Sequence, residues 1–474
     1  MRTYKPRLML FSHVSNTASI TGAEKLLLLF CLQLTPFLEC ILVAPYEGKL
    51  TAYARKQGIT VRIQPYPLLF GMYQPGERLE QEAEELRNQP DFASVVHCIQ
   101  ETAPDIVLTN TIVNVLPAMA AKTLGIPVLW KINEIMTATG YTASVMSVVE
   151  KYSDCLIAIS EASARIFREA VSKPIFLIPP SADNKLLRPA QMLIRNEYRK
   201  VLHLKDSHFC IGYISSFIQP EKGLLEFIGM ARILAESHPD CQFAVIGNPA
   251  DQAYHDRCIS EVNASGYGTR FRFVPFVESV HTAYSAMDIL VVPSIVQEGF
   301  GMTALEGMLC GKPVVSFDSG GLGELMRNTG NGYFVVPVGD HAALAAKVSE
   351  LLNTPSLLKN TGNRNAITAK AVYGMDVYRQ KIQAFILELQ QSYPVWMSGA
   401  ISRSLNASKE SMPTPLPSPK RLHARPKRKT RRKRRHGKSA WSQVSASSLG
   451  SRRKKRKAGA GRRFKRRSKS TRRK

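Results

Sequence analysis

Pro293-Ser294-Ile295-Val296-Gln297-Glu298-Gly299-Phe300-Gly301-Met302-Thr303-Ala304-Leu305-Glu306-Gly307-Met308 joins a strand-like apolar run to a helix-forming one. Residues 289–292 before it suit a buried strand, and residues 303–309 read as a helix. Between them, Gly299 and Gly301 lack the Cβ that would hold a ligand away from the backbone. The helix start beyond them offers unpaired N–H groups and a partial positive charge, suited to a phosphate or to sugar hydroxyls. Glu298 stands before the turn and Glu306 eight residues later inside the helix, so one carboxylate can face a sugar and the second a ribose. Taken singly, each could equally be an acid that favours the helix dipole or a surface acid.

The same alternation runs along the chain. Apolar runs at 8–11, 40–43, 106–108, 128–130 and 155–159 suit buried parallel strands, and 210–214, 243–246, 271–274, 289–292 and 313–316 repeat the pattern. Helical stretches intervene at 22–34, 77–87, 115–124, 224–237 and 303–309. This predicts an α/β fold of two Rossmann-like domains, each an open sheet covered on both faces. With 474 residues the chain is too long for one compact core. Prolines between Pro179 and Pro189 punctuate the connection. The expected division is 1–185, 186–375, a closing helix at 376–393, and 394–474 as a disordered proline-rich linker and Lys/Arg-rich tail.

Further motifs surround the first. Gln219-Pro220-Glu221-Lys222-Gly223 places an ammonium where it can offset the charge of a departing phosphate. Thr21-Gly22-Ala23-Glu24-Lys25 follows the first strand, and Trp130-Lys131-Ile132-Asn133-Glu134 follows another. Gly311-Lys312-Pro313-Val314-Val315, Ser319-Gly320-Gly321-Leu322-Gly323-Glu324 and Asn331-Gly332-Tyr333-Phe334-Val335 come after the glycine turn.

Together these strings resemble the retaining GT-B glycosyltransferases of family 4, with residues 298–306 similar to the family's E-x7-E donor signature. The resemblance implies two Rossmann-like domains facing a cleft, the first for the acceptor and the second for a nucleotide-diphosphate sugar. It implies catalytic roles for Lys222 and Glu298. Donor contacts would come from Gly22, Ala23, Lys222, Glu298, Gly299, Phe300, Gly301, Met302, Thr303 and Glu306. Asn133 and Glu134 would lie near the acceptor or sugar. Two positions depart from the pattern: Phe217 stands where an arginine is common, and Asn133 where a histidine is common. By position near the end of the first strand, His13 is the nearest substitute for that histidine. Asp183 matches the interdomain segment. The activity implied is a retaining, metal-independent hexosyltransferase with the nucleotide sugar as co-substrate, no cofactor and no metal. Its product would enter a polysaccharide, cell-surface or glycolipid pathway.

Charge divides the chain. Residues 401–474 hold 29 Lys and Arg against the single acid Glu410, a net of +28, whereas residues 1–400 hold 35 basic and 36 acidic residues, a net of −1. Partner arguments from charge therefore concern the tail alone: an anionic polymer or membrane surface, with non-specific nucleic acid as a further target. The eight cysteines form no C-x-x-C pair, which points to reduced, buried thiols. The apolar run 8–11 is too short for a signal peptide, and the longest, 26–32, falls well short of the roughly 18 residues of a membrane span. The expected location is cytoplasmic, with room for peripheral attachment at the inner membrane face. The alternative is a catalytically degenerate glycosyltransferase-like protein that acts as a polyanion-binding structural or coat component through its tail.

Overall fold

The computed structural model describes residues 5–17, 20–182, 187, 189, 192–276 and 280–410. Seven strands form the first sheet: β1 (Arg7–Phe11), β2 (Glu39–Ala44), β3 (Thr60–Ile63), β4 (Ile106–Asn110), β5 (Val128–Ile132), β6 (Cys155–Ala158) and β7 (Ile175–Leu177). Six form the second: β8 (Phe209–Ile218), β9 (Cys241–Pro249), β10 (Phe271–Val274), β11 (Ile289–Val292), β12 (Val314–Phe317) and β13 (Val335–Val336). The orders are β3-β2-β1-β4-β5-β6-β7 and β10-β9-β8-β11-β12-β13, with every pairing parallel. The central strands β4, β5, β11 and β12 are buried along their whole length, which is why they read as continuous apolar runs. β3 and β7 are edge strands whose residues are at most partly covered; β3 (Thr60-Val61-Arg62-Ile63) has no apolar run, and β7 is a short apolar run hemmed in by Pro174 and Pro179.

Each order reverses once, between β1 and β4 and between β8 and β11. Ligands of open α/β sheets bind in the crevice at such switch points, beyond the carboxyl ends of the strands. The loops that follow β1, β4, β8 and β11 carry Gly22, Asn110–Asn114, Lys222 and Glu298 respectively.

The closing helix, Met375–Ser392, returns to the first domain. Its Tyr378, Ile382, Phe385, Ile386 and Leu389 join the core that holds Leu8, Leu27 and Phe30. The expected linker starting at 394 is corrected here. Pro394–Met397 and Ala400–Glu410 are helical, and Ile401 and Leu405 pack on the first domain's core. The Ser402 amide donates to Asp105 Oδ1 at 2.9 Å. Ile401 and Leu405 are four residues apart and share one helical face, a signal that the surrounding polar and basic residues masked. Residues 411–474 and Asp183 lie outside the described residues. All eight cysteines are buried free thiols. Among the described residues no helix is long and apolar enough to cross a membrane, and no three His, Cys, Asp or Glu side chains form a metal-binding group.

Candidate functional site

A cleft between the two domains has a cavity volume of about 340 Å³. Gly22, Ala23, Asn133, Glu134, Lys222, Glu298, Gly299, Phe300, Gly301, Met302 and Thr303 all line it. An adjoining recess of about 100 Å³ is lined by Lys25, Phe276, Val280, Tyr284 and Glu306, among others. His13 lines neither. It is partly buried after β1, desolvation lowers its pKa to about 4, and its Nδ1 has no hydrogen-bond partner.

The loops of the second domain brace one another. Lys222 ends a short turn, Pro220–Lys222, and Gly223 follows with φ +68°. A Cβ on Gly223 would come 1.8 Å from the Pro293 carbonyl oxygen, so only glycine lets this turn lie against the loop after β11. The Ile295 amide donates to the Glu221 carbonyl at 3.1 Å and completes the junction. Lys222 Nζ then reaches Glu298 Oε1 at 2.7 Å, and Ser294 Oγ donates to the same oxygen at 2.6 Å. Burial pushes the Glu298 carboxyl up, but the Lys222 charge and both hydrogen bonds outweigh it and hold the group below the usual range. Glu298 is therefore ionised at neutral pH.

Gly301 opens the helix Met302–Leu309 in the left-handed region, at φ +102°. Its turn aims the helix start into the cleft. One turn further in, Glu306 Oε2 accepts from the Tyr284 hydroxyl at 2.9 Å. Burial raises the Glu306 carboxyl, with the nearby Lys25 charge and the Tyr284 bond opposing it. Gly299 serves a purpose the sequence did not suggest. A Cβ there would lie 1.9 Å from the Asn133 carbonyl oxygen, so its missing side chain admits the first domain.

On the first domain, Thr21 and Glu24 form a capping box at the start of the helix Gly22–Leu34. Fully buried Glu24 also accepts from the Asn16 amide at 3.0 Å, which pins the glycine loop. After β4, Thr111 sits at φ +79°, a strained conformation for a threonine, held by Trp130 Nε1 donating to its carbonyl at 2.9 Å. Asn133 has both ends of its side chain engaged: Lys131 Nζ donates to Oδ1, and Nδ2 donates to Asn110 Oδ1 at 2.9 Å. Glu134 Oε2 accepts from the amides of Ile112 and Asn133 at 3.3 and 3.1 Å, and burial raises its carboxyl. Lys131 is 3% exposed, and burial lowers its ammonium to about 7. Tyr73 stands close enough to feel the charges of this site. Its hydroxyl is pushed up by burial and then by Glu134 and Glu298.

The domains also meet through Glu324, whose carboxylate accepts from the Glu161 and Ala162 amides at 3.0 and 2.8 Å. It caps the first turn of the helix Glu161–Arg168 in the other domain. Lys25, Tyr73, Tyr284 and Glu324 were not singled out from sequence. Glu324 and Lys25 sat inside quoted motifs, but which side chain crosses a cleft is invisible in a linear string.

Residues 194–367 match the family model described as Glycosyl transferases group 1. The chain is 28% identical over 205 residues to the 2-deoxystreptamine N-acetyl-D-glucosaminyltransferase of Streptomyces fradiae, covering 42% of this chain and 47% of that one. It is 32% identical over 200 residues to the D-inositol 3-phosphate glycosyltransferase of Geodermatophilus obscurus, covering 40% and 43%. The chain spans about half the length of the curated relatives it matches. Among solved structures, Anabaena HepE in complex with UDP and glucose superposes with a TM-score of 0.67 at 21% identity, over 81% of this chain and 100% of that one. Residues 194–367 thus resemble the glycosyl transferases group 1 family and sit in a two-domain GT-B fold.

Proposed function

We propose that the protein is a retaining, metal-independent glycosyltransferase of the family 4 type that moves a sugar from a nucleotide-diphosphate sugar to an acceptor. The observation that carries this reading is the Lys222–Glu298 pair, 2.7 Å apart beside the Gly301 helix start and one helical turn from Glu306. Glu306 and Tyr284 form the recess for a ribose. The helix start and Lys222 take the diphosphate, and Glu298 takes hydroxyls of the transferred sugar. HepE, on the same fold, was solved with UDP and with UDP-glucose, which supports a nucleotide-sugar donor.

The chemistry follows from where charge develops. As the glycosidic bond breaks, negative charge grows on the diphosphate. Lys222 and the helix N-H groups are already aimed there, so they stabilise the transition state more than the ground state. The departing phosphate accepts the acceptor's proton on the same face, which retains the anomeric configuration without an enzymatic nucleophile. Glu134 and the Asn133 backbone face this point from the first domain, where the acceptor enters. The nucleotide sugar is a co-substrate, and the scheme calls on no further cofactor or metal. We place the reaction in polysaccharide, cell-surface or glycolipid synthesis at the cytoplasmic side. The tail then serves as a polybasic attachment to an anionic surface, the membrane face included.

The test is release of nucleoside diphosphate from a panel of nucleotide sugars, by the wild type and by Lys222→Ala. Losing one preorganised charge of this kind typically lowers turnover on the order of a hundredfold. Equal turnover by the variant, with the fold intact, would show that this loop is not the phosphate clamp. A wild type that binds no nucleotide sugar would favour the polyanion-binding alternative.

A further inference from the structure

Five charged side chains line the two connected cavities among the described residues: Lys25, Glu134, Lys222, Glu298 and Glu306. Two cations face three carboxylates, and one of the cations, Lys222, is already paired with Glu298 at 2.7 Å. A nucleoside diphosphate brings at least two more negative charges into this space. Among the described residues the second domain offers no further cation at the cavity wall; Phe217, near the end of β8, lines it beside Lys222.

Lys25 fits the need by position. It lies in the first turn of the helix Gly22–Leu34, on the first domain, and its side chain crosses the cleft. Its ammonium stands 5.7 Å from the centre of the Phe276 ring on the second domain and shares the recess with Glu306. Gly22, Ser215, Ser216, Met302 and Thr303 line both cavities, so Lys25 stands where the ribose recess opens into the larger cleft. Its four-carbon stem lets the charge swing between the two. The loop that carries it is fixed by buried Glu24, so the swing belongs to the side chain and not to the backbone.

We propose that Lys25 is the second cation of the donor site, reaching from the first domain to the phosphates of the nucleoside diphosphate. This rests on the donor reading of the cleft. The consequence is a link between binding and domain closure. Lys222 and the Gly301 helix start hold the phosphates whichever way the domains sit, but Lys25 contributes only when the first domain is against the second. Donor phosphate is then a ligand for the closed arrangement that the Gly299–Asn133 contact and the Glu324 cap describe. The neighbouring Phe276 ring keeps the ammonium from straying when the site is empty.

The experiment is titration calorimetry of the full chain with UDP, GDP and ADP, and with uridine, guanosine and adenosine. Wild type, Lys25→Ala and Lys25→Arg are compared, with melting temperatures as the folding control. For whichever nucleotide binds, Lys25→Ala is expected to lose about tenfold to a hundredfold in affinity for the diphosphate. Its affinity for the matching nucleoside stays unchanged, and Lys25→Arg restores most of the loss. Equal diphosphate affinity in Lys25→Ala overturns the proposal. So does an equal loss toward the nucleoside, which would place Lys25 at the ribose or base. If the folded wild type binds none of the three diphosphates, the donor reading itself fails and takes the proposal with it.

Discussion

Lys131 is a cation with almost no water around it, on β5 beneath the cleft. Its ammonium falls to about 7 against an ordinary 10.5, because burial opposes the charge more than Glu134 supports it. Below about pH 7 the folded and unfolded chains both carry the proton, and the cost of burying it is fully felt. Between about 7 and 10.5 only the unfolded chain carries it, so stability rises with pH through that window. The rise from this one group is on the order of 2 kcal/mol between pH 7 and 9. Lys131→Met removes the dependence, so its melting temperature should gain most on wild type near pH 6 and least near pH 9. A gap that stays flat across that range would mean the lysine keeps its proton when folded. Glu306 supports a second residue-scale expectation. Replacing it with Gln keeps an acceptor for Tyr284 and removes only the charge, so the fold should hold. Donor affinity should fall by about 1.5–3 kcal/mol, the weight of a charged hydrogen bond. Calorimetry that finds unchanged affinity removes Glu306 from the ribose site.

The element on which the proposed chemistry rests is the turn Pro220–Lys222 with Gly223 behind it. For Gly223→Ala, the left-handed conformation alone costs about 1–2 kcal/mol. The added methyl would also meet the Pro293 carbonyl at 1.8 Å, so the turn must shift and draw Lys222 away from Glu298. A lower melting temperature and a turnover loss approaching that of Lys222→Ala are expected. Wild-type turnover would show that the turn tolerates movement. The strand–turn–helix around Gly301 was legible because its parts are contiguous: an apolar strand, two glycines, and a helix with Glu306 on it. The helices Gly22–Leu34 and Leu224–Ser237 were legible to the residue for a like reason. β3 was not, since its Thr60-Val61-Arg62-Ile63 carries no apolar run, nor was β7, three residues long in a short run between Pro174 and Pro179. Tyr284 pairs with a glutamate 22 positions away, and Gly299 makes room for a residue of the other domain. Such pairings depend on how elements pack, which no local pattern encodes. His13, placed by sequence near the end of the first strand, lies just past β1 and lines neither cavity.

At the scale of the whole molecule, charge and packing divide the C-terminal region at different points. Charge changes character near residue 401, with a net of −1 before it and +28 after it. Packing continues through the helix Ala400–Glu410, where Ile401 and Leu405 cover the first domain's core and Ser402 bonds Asp105. Two truncations separate these roles. Ending the chain at Pro394 strips Ile401 and Leu405 from the core and should lower the melting temperature of the body. Ending it at Glu410 removes 27 of the 29 basic residues and should leave the melting temperature and the sugar-transfer rate on a soluble acceptor unchanged. The shorter tail should, however, abolish attachment to anionic surfaces. Each phosphate that a Lys or Arg neutralises releases counterions, so binding through the tail should fall steeply with salt. Sedimentation of the full chain and the 410 truncation with anionic vesicles, duplex DNA and an acidic polysaccharide, at low and high salt, measures this. Vesicle binding that the truncation loses, with no strong preference for DNA, places the protein at a membrane face, where the proposed activity would meet lipid-linked acceptors. Vesicle binding that survives the truncation assigns attachment to the folded body. A preference for DNA by orders of magnitude at moderate salt makes the tail a nucleic-acid element, and the membrane reading then falls.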